Sequence, residues 1–495
     1  MEFITAIPWW GYLLLILVLV GIKDILQKRH TIVHNFPILG HVRYLLESIG
    51  PELRQYIVAN NREERPFNRR QRSWIYASSK KENHYQGFGT DQDIHEAGYI
   101  FIKPALMTLR TDQTADLAVA CPSAKIMGQH RKKPYRPKSI VNISAMSYGS
   151  LSAQAISSLN KGAAQFGCYH NTGEGGLSPY HKHGADTCFH FGTGYFGVRG
   201  DDGHFSLDRM MEVVKENPCI KMIEIKLSQG AKPGKGGVLP GSKITKEIAE
   251  IRNVKVGESV LSPAYHSAFN TVPELVDFIE TIAQNTGLPV GIKAAIGKMA
   301  MWEELADLMK KTGYGPDFIT IDGGEGGTGA APPSFADHVA LPWVYGFSSV
   351  YKVFQSAGLT HKITFIGSGK LGLPDSSIMA FAMGVDVINV AREAMISIGC
   401  IQALVCHTNR CPTGIATNNK WLTAGVDPAL KSVRFANYMG NLTKEIMEIS
   451  HACGYLHPCQ FNMDDIDISM GDNAHTAPLR LAYGYQKDEV KMIMD

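Results

Sequence analysis

This 495-residue chain has almost no excess of positive or negative charge, since its formal net charge is only +3 at pH 7. The sequence also lacks a long basic run, whereas nucleic-acid-binding proteins usually carry a basic patch or stripe. We therefore expect no nucleic-acid partner. Wholesale disorder is excluded as well, because hydrophobic residues make up 44% of the chain and can build a large core.

A disulfide framework is a second feature that the sequence lacks. Its nine cysteines are an odd number spread over a long chain, whereas disulfide scaffolds are short and use even numbers. Reduced thiols in a domain that faces the cytosol fit this pattern better.

A Rossmann nucleotide-binding unit is also not evident. The glycine-rich string GGEGGTGAAP at 323–332 is not followed by an acidic residue at the distance that a βαβ unit requires. The string alone is therefore only a weak indication of a nicotinamide cofactor.

The N-terminal segment 4–22 carries no charge and is long enough for a bilayer core, which takes about 20 apolar residues. Lys23, Lys28 and Arg29 follow at once, so the positive-inside rule places the rest of the chain in the cytoplasm. A cleaved signal peptide is the alternative, but it needs a basic start and small residues at a cleavage site. We predict an uncleaved, single-pass anchor in the cell membrane within residues 1–30.

The rest of the sequence has three parts. Residues 31–137 mix a helical pattern with charged runs and are interpreted as a peripheral N-terminal region. Residues 138–455 alternate short β-branched runs with helical patterns, which predicts parallel strands joined by helices. Residues 456–495 are interpreted as a C-terminal tail.

The alternating part contains eight predicted strands, the number in a closed (β/α)8 TIM barrel, so the expected fold class is α/β. Ligands bind such barrels at the carboxyl ends of the strands. The predicted strands are IVNISAM (140–146), CYHNTG (168–173), YFGV (195–198), MIEIKLS (222–228), PVGIKAA (289–295), FITIDGG (318–324), ITFIGSG (363–369) and VINVAR (387–392).

Three cysteines form the most specific chemical motif. Cys400, Cys406 and Cys411 have the spacing C-x5-C-x4-C, and a proline follows the last. Soft thiolates that converge from one loop are typical of an iron–sulfur cluster, and a three-iron cluster fits as well as a four-iron cluster that lacks one protein ligand. A zinc site with His407 as the fourth ligand is an alternative, although the C-x2–4-C spacing usual in zinc sites is missing. A further alternative is that the three cysteines are simply packed in the core and bind no metal.

Several strings occur in the order found in one family. From about Ser139 to about Gly454 the chain resembles the FMN-binding synthase domain of glutamate synthase, and its N-terminal part is similar to a short, membrane-anchored branch of that family. The strings are AMSYGSLS (145–152), NTGEGG (171–176), KLSQGAKPGKGG (226–237), VLSPAYHS (260–267), GGTGAAP (326–332), ALPW (340–343) and CHTNRCPTGIAT (406–417).

The resemblance implies a TIM barrel that carries FMN and a [3Fe-4S] cluster, with the three cysteines as cluster ligands. The backbone of Met146 and Ser147 would lie against the flavin, and Lys293 would stabilise the anionic reduced ring. Two late loops would bind the phosphate, as is usual in barrels. The residues implied for the phosphate are Gly367, Ser368, Gly369, Ala391 and Arg392, and those implied for further flavin contacts are Gly327, Thr328 and Gly329.

The resemblance also implies a 2-oxoglutarate site, and a dicarboxylate needs cationic forks in a dry pocket. The family's substrate-binding residues correspond to Lys226, Gln229, Lys232 and Arg252, and Glu174 would face the reacting carbon. The implied catalytic residues are Glu174, Lys226 and Lys293. Spacing alone would favour the alternative that Lys232 and Lys235 are solvated charges in a glycine-rich loop.

The implied reaction makes L-glutamate. Electrons pass through the cluster to FMN, 2-oxoglutarate and ammonia form 2-iminoglutarate, and hydride from the flavin reduces it. The expected electron donor is ferredoxin, a partner subunit or a membrane carrier. The alternatives are a related flavoenzyme that uses another amine or 2-oxo acid, and a membrane electron-transfer subunit.

The sequence departs from the family pattern in several places. It begins Met1-Glu2-Phe3 instead of with the cysteine of a glutaminase, so we expect ammonia to come from solution or from a partner. Lys235 stands where the family has an acidic residue, and GGEGGTG (323–329) stands where the family has GHDGGTG. Ammonia delivery and local flavin contacts are therefore expected to differ.

Overall fold

The structure is a computed structural model that describes residues 8–82, 85, 87–109, 116–329, 331–471 and 475–485. The chain divides into two compact units, residues 1–70 and 71–495. The division after residue 70 lies inside the region 31–137, which the sequence predicts to be one part.

The first unit is helical. Its helices are α1 (Trp9–Leu26), α2 (Thr31–Asn35) and α3 (Leu39–Leu53), and a π-helical turn spans Arg54–Val58. Among the described residues, α1 alone is long and apolar enough to cross a membrane, with a mean hydropathy of 1.9. Only 6% of this helix is buried, unlike a core helix, but an N-terminal signal sequence has the same character. The membrane anchor stays a prediction.

One buried carboxylate binds the start of α3 to the end of α1. Asp24 accepts hydrogen bonds from the backbone N–H of Ile38 and from Nε2 of His41, both at 2.9 Å. Gly40 allows α2 and α3 to approach, since a Cβ there would lie 2.8 Å from Cα of Val33. These contacts fix α3 against the two preceding helices.

The second unit is built around a sheet that closes on itself. Its described strands, in chain order, are β1 (Ile100–Ile102), β2 (Val141–Ile143), β3 (His170–Asn171), β4 (Thr187–Phe191), β5 (Ile220–Lys226), β6 (Val238–Leu239), β7 (Val260–Leu261), β8 (Val290–Ala295), β9 (Phe318–Asp322), β10 (Thr364–Ser368), β11 (Val387–Val390), β12 (Ile466–Ser469) and β13 (Thr476–Pro478). Strands β2, β3, β4, β5, β8, β9, β10 and β11 pair in parallel, in that order, into a closed barrel. The predicted eight-stranded TIM barrel is therefore confirmed.

Helices surround this barrel. The described ones are α4 (Arg69–Lys80), α5 (Ala153–Phe166), α6 (Leu207–Glu216), α7 (Lys246–Arg252), α8 (Val272–Thr286), α9 (Ala300–Thr312), α10 (Pro333–His338), α11 (Trp343–Ser356), α12 (Pro374–Met383), α13 (Arg392–Ser397), α14 (Lys420–Thr423), α15 (Pro428–Ala452) and α16 (Leu479–Tyr483). Local sequence sets their ends: α8 begins with a capping box between Thr271 and Glu274 and ends at the left-handed Gly287. Single 3-10 turns span Pro179–His181, Gly241–Lys243, Cys406–Thr408 and Pro458–Gln460.

Two small antiparallel sheets lie outside the barrel. Strand β6 pairs with β7, and β12 pairs with both β1 and β13. Ile100 of β1 is opposite Ile468 of β12. Residues from the expected C-terminal tail thus form a sheet with a strand from the expected N-terminal region.

The prediction of the third barrel strand is wrong. This strand is Thr187–Phe191, whereas the predicted segment 195–198 is a buried turn that follows it. Cys188 and His190 interrupt the apolar pattern, yet both are buried. His190 is satisfied there because it bonds to Glu224 of the next strand. Phe191 packs on the opposite side, stacked on Phe205. A strand buried on both faces does not show polar–apolar alternation.

A short ladder closes the amino-terminal end of the barrel. Met127 and Tyr135 exchange two backbone hydrogen bonds, at 2.8 and 3.1 Å. Both side chains are buried in one apolar cluster with residues of six barrel strands or their immediate starts. The cluster consists of Met127, Tyr135, Tyr169, Cys188, Met222, Phe318, Ile366 and Val387.

Arg131, between these two residues, is paired with two carboxylates. Its terminal nitrogens donate to both oxygens of Glu280 on α8 at 2.7 Å, and its Nε donates to Asp317 at 3.0 Å. Asp317 also accepts the backbone N–H of Val290, at the start of β8, at 2.8 Å. One guanidinium therefore ties the closing segment to α8 and β9 at this end of the barrel.

Replacement of Arg131 by methionine should destabilise the protein by about 3–5 kcal/mol, because two buried carboxylates lose the guanidinium that pairs with them. The measurement is the urea midpoint of unfolding. Arg209→Met is the matched control, since Arg209 is 59% exposed and 3.7 Å from Glu212, and its loss should cost less than about 1 kcal/mol. Equal midpoints for the two variants would contradict the role given to Arg131.

Candidate active site at the carboxyl ends of the strands

The residues implied for FMN lie at the carboxyl ends of barrel strands. They are Met146 and Ser147 after β2, Lys293 in β8, Gly367, Ser368 and Gly369 at the end of β10, and Ala391 and Arg392 after β11. Oγ of Ser144 and Oγ of Ser368 are 3.5 Å apart, which joins the ends of β2 and β10. The loop after β3 packs directly against the segment that follows β2, since a Cβ on Gly173 would lie 2.7 Å from the backbone nitrogen of Ser147.

Lys293 is a buried cation between carboxylates. Its Nζ lies 3.3 Å from Oδ1 of Asp322 on the neighbouring strand β9. Burial opposes the charged form, but Asp322 and then Glu224 outweigh it, so the pKa of Lys293 is raised. The ammonium is therefore held charged at the rim of the barrel.

Glu224 on β5 is the centre of a hydrogen-bond network inside the barrel. Its Oε2 accepts from Nδ2 of Asn171 at 2.7 Å and from Nδ1 of His190 at 2.6 Å. Its Oε1 accepts from the hydroxyl of Thr320 at 2.5 Å. Burial favours the neutral acid, but the hydrogen bond from His190 and the charge on Lys293 lower the pKa of Glu224 to about 2. Four strands are connected through this carboxylate.

Glu174, after β3, forms an ion pair with Lys226 at the end of β5. Nζ of Lys226 also donates to Oε1 of Gln229 at 3.1 Å. Burial opposes the ionised form, but Lys226 and then Lys232 lower the pKa of Glu174 to about 2, so it is a carboxylate at neutral pH. The structure thus brings the implied catalytic pair and one implied substrate residue into direct contact.

Lys232 is buried, with only 3% of its surface exposed. A Cβ on Gly237 would lie 3.3 Å from Oε1 of Glu174 and 3.6 Å from Nζ of Lys232, so both side chains border the same small space. Burial lowers the pKa of Lys232. Lys235, three residues on, is exposed, and its Nζ lies 5.5 Å from the ring centre of Phe335. The solvated-loop interpretation therefore applies to Lys235 and not to Lys232.

Arg252, at the end of α7, is a second buried cation. One terminal nitrogen donates to the carbonyl of Tyr148 at 3.0 Å, and the guanidinium lies 5.4 Å from the ring centre of Phe196. Burial lowers the pKa of Arg252 to about 10, which leaves it charged at neutral pH. Its buried Nε has no hydrogen-bond partner among the described residues. A buried N–H without a partner is suited to an anionic ligand.

The implied flavin contacts Gly327, Thr328 and Gly329 lie in the loop between β9 and α10. Arg392 donates to the carbonyl of Glu325 in this loop at 2.5 Å. A Cβ on Gly329 would lie 3.3 Å from the backbone of Cys406. The loop therefore contacts both the implied phosphate side of the rim and the cysteine loop.

The three cysteines lie on one loop between α13 and α14. Burial raises the pKa of Cys400 to about 12 and also raises that of Cys406. The pKa of Cys411 is lowered in spite of burial, because the Thr413 hydroxyl and nearby backbone N–H groups are directed at its sulfur. In the part of the chain that the structure describes, no three His, Cys, Asp or Glu side chains surround one metal position. The cluster stays a prediction.

Glu224, Asp322 and His190 belong to no motif that the sequence predicts as part of the site. Glu224 and Asp322 each stand in an apolar predicted strand, and an acid in a strand buried on both faces requires a partner. The sequence therefore contained a signal that Glu224 and Asp322 have buried partners. His190 gave no such signal, because its strand was not predicted.

The chain is similar to known proteins over most of its length. A family model described as "conserved region in glutamate synthase" matches residues 77–456, more than half of the chain. The glutamate synthase large subunit-like protein YerD of Bacillus subtilis (strain 168) is 39% identical over 480 residues, which are 90% of this chain and 91% of YerD.

Two further relatives match this chain over a smaller share of their own length. An archaeal-type glutamate synthase [NADPH] of Thermotoga maritima is 36% identical over 345 residues, which are 69% of this chain and 64% of the relative. A ferredoxin-dependent glutamate synthase of Pyropia yezoensis is 36% identical over 250 residues, which are 50% of this chain but only 15% of the relative.

The substitution Glu224→Gln tests the buried network. The folded protein depresses the pKa of Glu224 from 4.5 to about 2, so the stability gained from its ionisation is complete above pH 4.5 and is lost as the pH falls toward 2. In urea unfolding, the free energy of unfolding of the variant should be about 3 kcal/mol below that of the unmodified protein at pH 6, and this difference should fall to about half by pH 3. For Glu250→Gln, whose side chain is 68% exposed, no such deficit is expected. A deficit that is independent of pH would contradict the prediction.

Proposed function

Because the chain belongs to the glutamate synthase family and is an oxidoreductase of that type, we propose that it forms L-glutamate by reducing 2-iminoglutarate. This imine would form from 2-oxoglutarate and ammonia. The observation that carries the proposal is the set of cations around Glu174, which consists of Lys226, Lys232 and Arg252. They belong to the substrate site that the resemblance implies.

The charge balance of this site favours a dicarboxylate. Three cations share the single carboxylate of Glu174, and two of them, Lys232 and Arg252, are almost completely buried. A ligand with two carboxylates would compensate the excess positive charge and would supply an acceptor for Nε of Arg252. Charge-assisted hydrogen bonds to buried cations are short and strong, and the planar fork of arginine matches a carboxylate.

FMN is the proposed cofactor, and the donor set at the rim fits it. The backbone of Met146 and Ser147 would lie against the ring, and Lys293 would lie at the edge that becomes negative on reduction. Arg392, half-buried at the rim, and the backbone around Gly367–Gly369 would hold the phosphate end. When bound, FMN supplies the hydride that reduces the imine carbon.

The chain's own side chains would handle the protons. Ionised Glu174 can relay protons from the nitrogen of ammonia, once it has attacked the keto carbon, to the keto oxygen, and Lys226 remains beside it to balance the charge. Two such transfers convert the oxygen into water, which leaves, so that a C=N double bond replaces the C=O double bond. Lys232 and Arg252 would hold the two substrate carboxylates and exclude water from the reacting carbon.

A [3Fe-4S] cluster on Cys400, Cys406 and Cys411 is the proposed route for electrons. The chemistry of this loop supports it: hydrogen bonds already converge on the sulfur of Cys411, and Nζ of Lys243 donates to the carbonyl of Cys406 at 2.8 Å. Hydrogen bonds and nearby positive charge stabilise thiolate-bound clusters. Ferredoxin, NADPH through a partner, or a membrane carrier would be the donor; the names of the relatives include the first two.

The proposed location is the cytoplasmic side of the cell membrane, with α1 as a single-pass anchor. Trp9 and Trp10, both exposed, would lie at one interface, and Lys23, Lys28 and Arg29 follow near the opposite end of the helix. Exposed leucine, isoleucine and valine side chains cover α1 between these ends.

Reoxidation of the anaerobically reduced protein tests the function. Addition of 2-oxoglutarate with ammonia should reoxidise the flavin and yield glutamate, with methylamine and glutamine as parallel amine donors. Lys232→Met should raise the required 2-oxoglutarate concentration about 10–100-fold, since a buried charge-assisted hydrogen bond is lost, and should leave flavin content unchanged. Lys235→Met is the control and should change the required 2-oxoglutarate concentration less than about threefold. No reoxidation with any amine would leave electron transfer without amination as the better explanation.

Substitution of one cysteine tests the cluster. Cys406→Ser should remove the iron and the electron paramagnetic resonance signal of a three-iron centre, because a hydroxyl replaces a soft thiolate ligand. Cys219→Ser, at the opposite end of the barrel just before β5, should retain both. Equal loss of iron in the two variants would mean that the ligands are assigned incorrectly.

A further inference from the structure

Helix α3 carries an apolar face that the other helices of the first unit leave uncovered. At 100° per residue, its large apolar side chains fall within an arc of about 120°. They are Leu39, Val42, Leu45, Leu46, Ile49 and Leu53, with exposed fractions between 40% and 72%. Six such side chains on one helix make a continuous apolar patch, which soluble proteins rarely expose.

The other sides of α3 are already engaged. Gly40 packs on Val33 of α2, and His41 bonds to Asp24 at the end of α1. Arg43 and Glu47 form an ion pair on the polar side, at 2.8 Å. The apolar face is therefore turned away from both the neighbouring helices and the charged side of α3.

We propose that α3 lies flat in the headgroup region of a lipid bilayer, with this apolar face inserted among the acyl chains. An amphipathic helix of this kind binds at the membrane surface. The proposal rests on the membrane anchor proposed for α1 and adds a second, separate contact with the same bilayer. The occupant of the apolar face is thus lipid and not a second protein.

Two observations favour lipid as the occupant. Asp24 holds the first residues of α3 against the last turn of α1, so α3 starts at the level where the proposed anchor leaves the bilayer. Positive charge precedes this point in the sequence, at Lys23, Lys28 and Arg29, and Arg54 follows the far end of α3. Cations beside an apolar helix face are attracted to anionic headgroups.

Photocrosslinking of the full chain tests this contact. The photoreactive residue p-benzoylphenylalanine is placed at Leu46, on the apolar face, or at Glu47, on the polar face, which serves as the matched control because both positions are more than half exposed. The protein is reconstituted in vesicles of phosphatidylcholine and phosphatidylglycerol. Irradiation should give at least about fivefold more lipid adduct at Leu46 than at Glu47.

Alkaline carbonate extraction of the same vesicles separates the two proposals. A chain that resists extraction but gives equal lipid adduct at both positions would overturn the role of α3 and leave the α1 anchor intact. Release of the chain by carbonate would overturn the α1 anchor, and with it the proposal that α1 and α3 contact the same bilayer. Crosslinked dimers at Leu46 without lipid adduct would also overturn the proposal, because a second copy would then cover the apolar face.

Discussion

Closure of eight parallel strands is the constraint on which the rest of this structure depends. In a closed parallel barrel all strands end at one rim, so side chains from distant parts of the sequence meet there. Glu174 after β3, Lys226 at the end of β5 and Lys293 in β8 reach the site in this way. The same closure buries both faces of every strand, and each ionisable side chain inside the barrel therefore requires a partner.

The balance of positive and negative side chains differs between the two ends and the interior of the barrel. At the amino-terminal end, Arg131 is enclosed by Glu280 and Asp317, so its charge is compensated within the protein. In the interior, Glu224 is satisfied by three hydrogen bonds. At the carboxyl end, the cations around Glu174 outnumber its single negative charge, and Nε of Arg252 has no partner among the described residues. The excess positive charge occurs at the rim where barrels bind their ligands.

The two compact units differ in the surfaces that they present. The second unit buries its apolar side chains around the barrel, whereas α1 and α3 of the first unit expose theirs. Asp24 connects these two helices through polar contacts, so their apolar surfaces are not used against each other. A unit with this arrangement is suited to an apolar environment outside the protein, and the second unit contains the whole candidate active site.

The sequence by itself determined the barrel, seven of its eight strands and the residues around Glu174, because β-branched runs, helical periodicity and family strings are local signals. Only the tertiary structure decided that Thr187–Phe191 is the third strand, since a strand buried on both faces shows no alternation. It also decided that Lys232 is buried while Lys235 is exposed, and that Glu224 joins four strands. These properties arise when residues far apart in the chain meet, and no local pattern in the sequence contains that information.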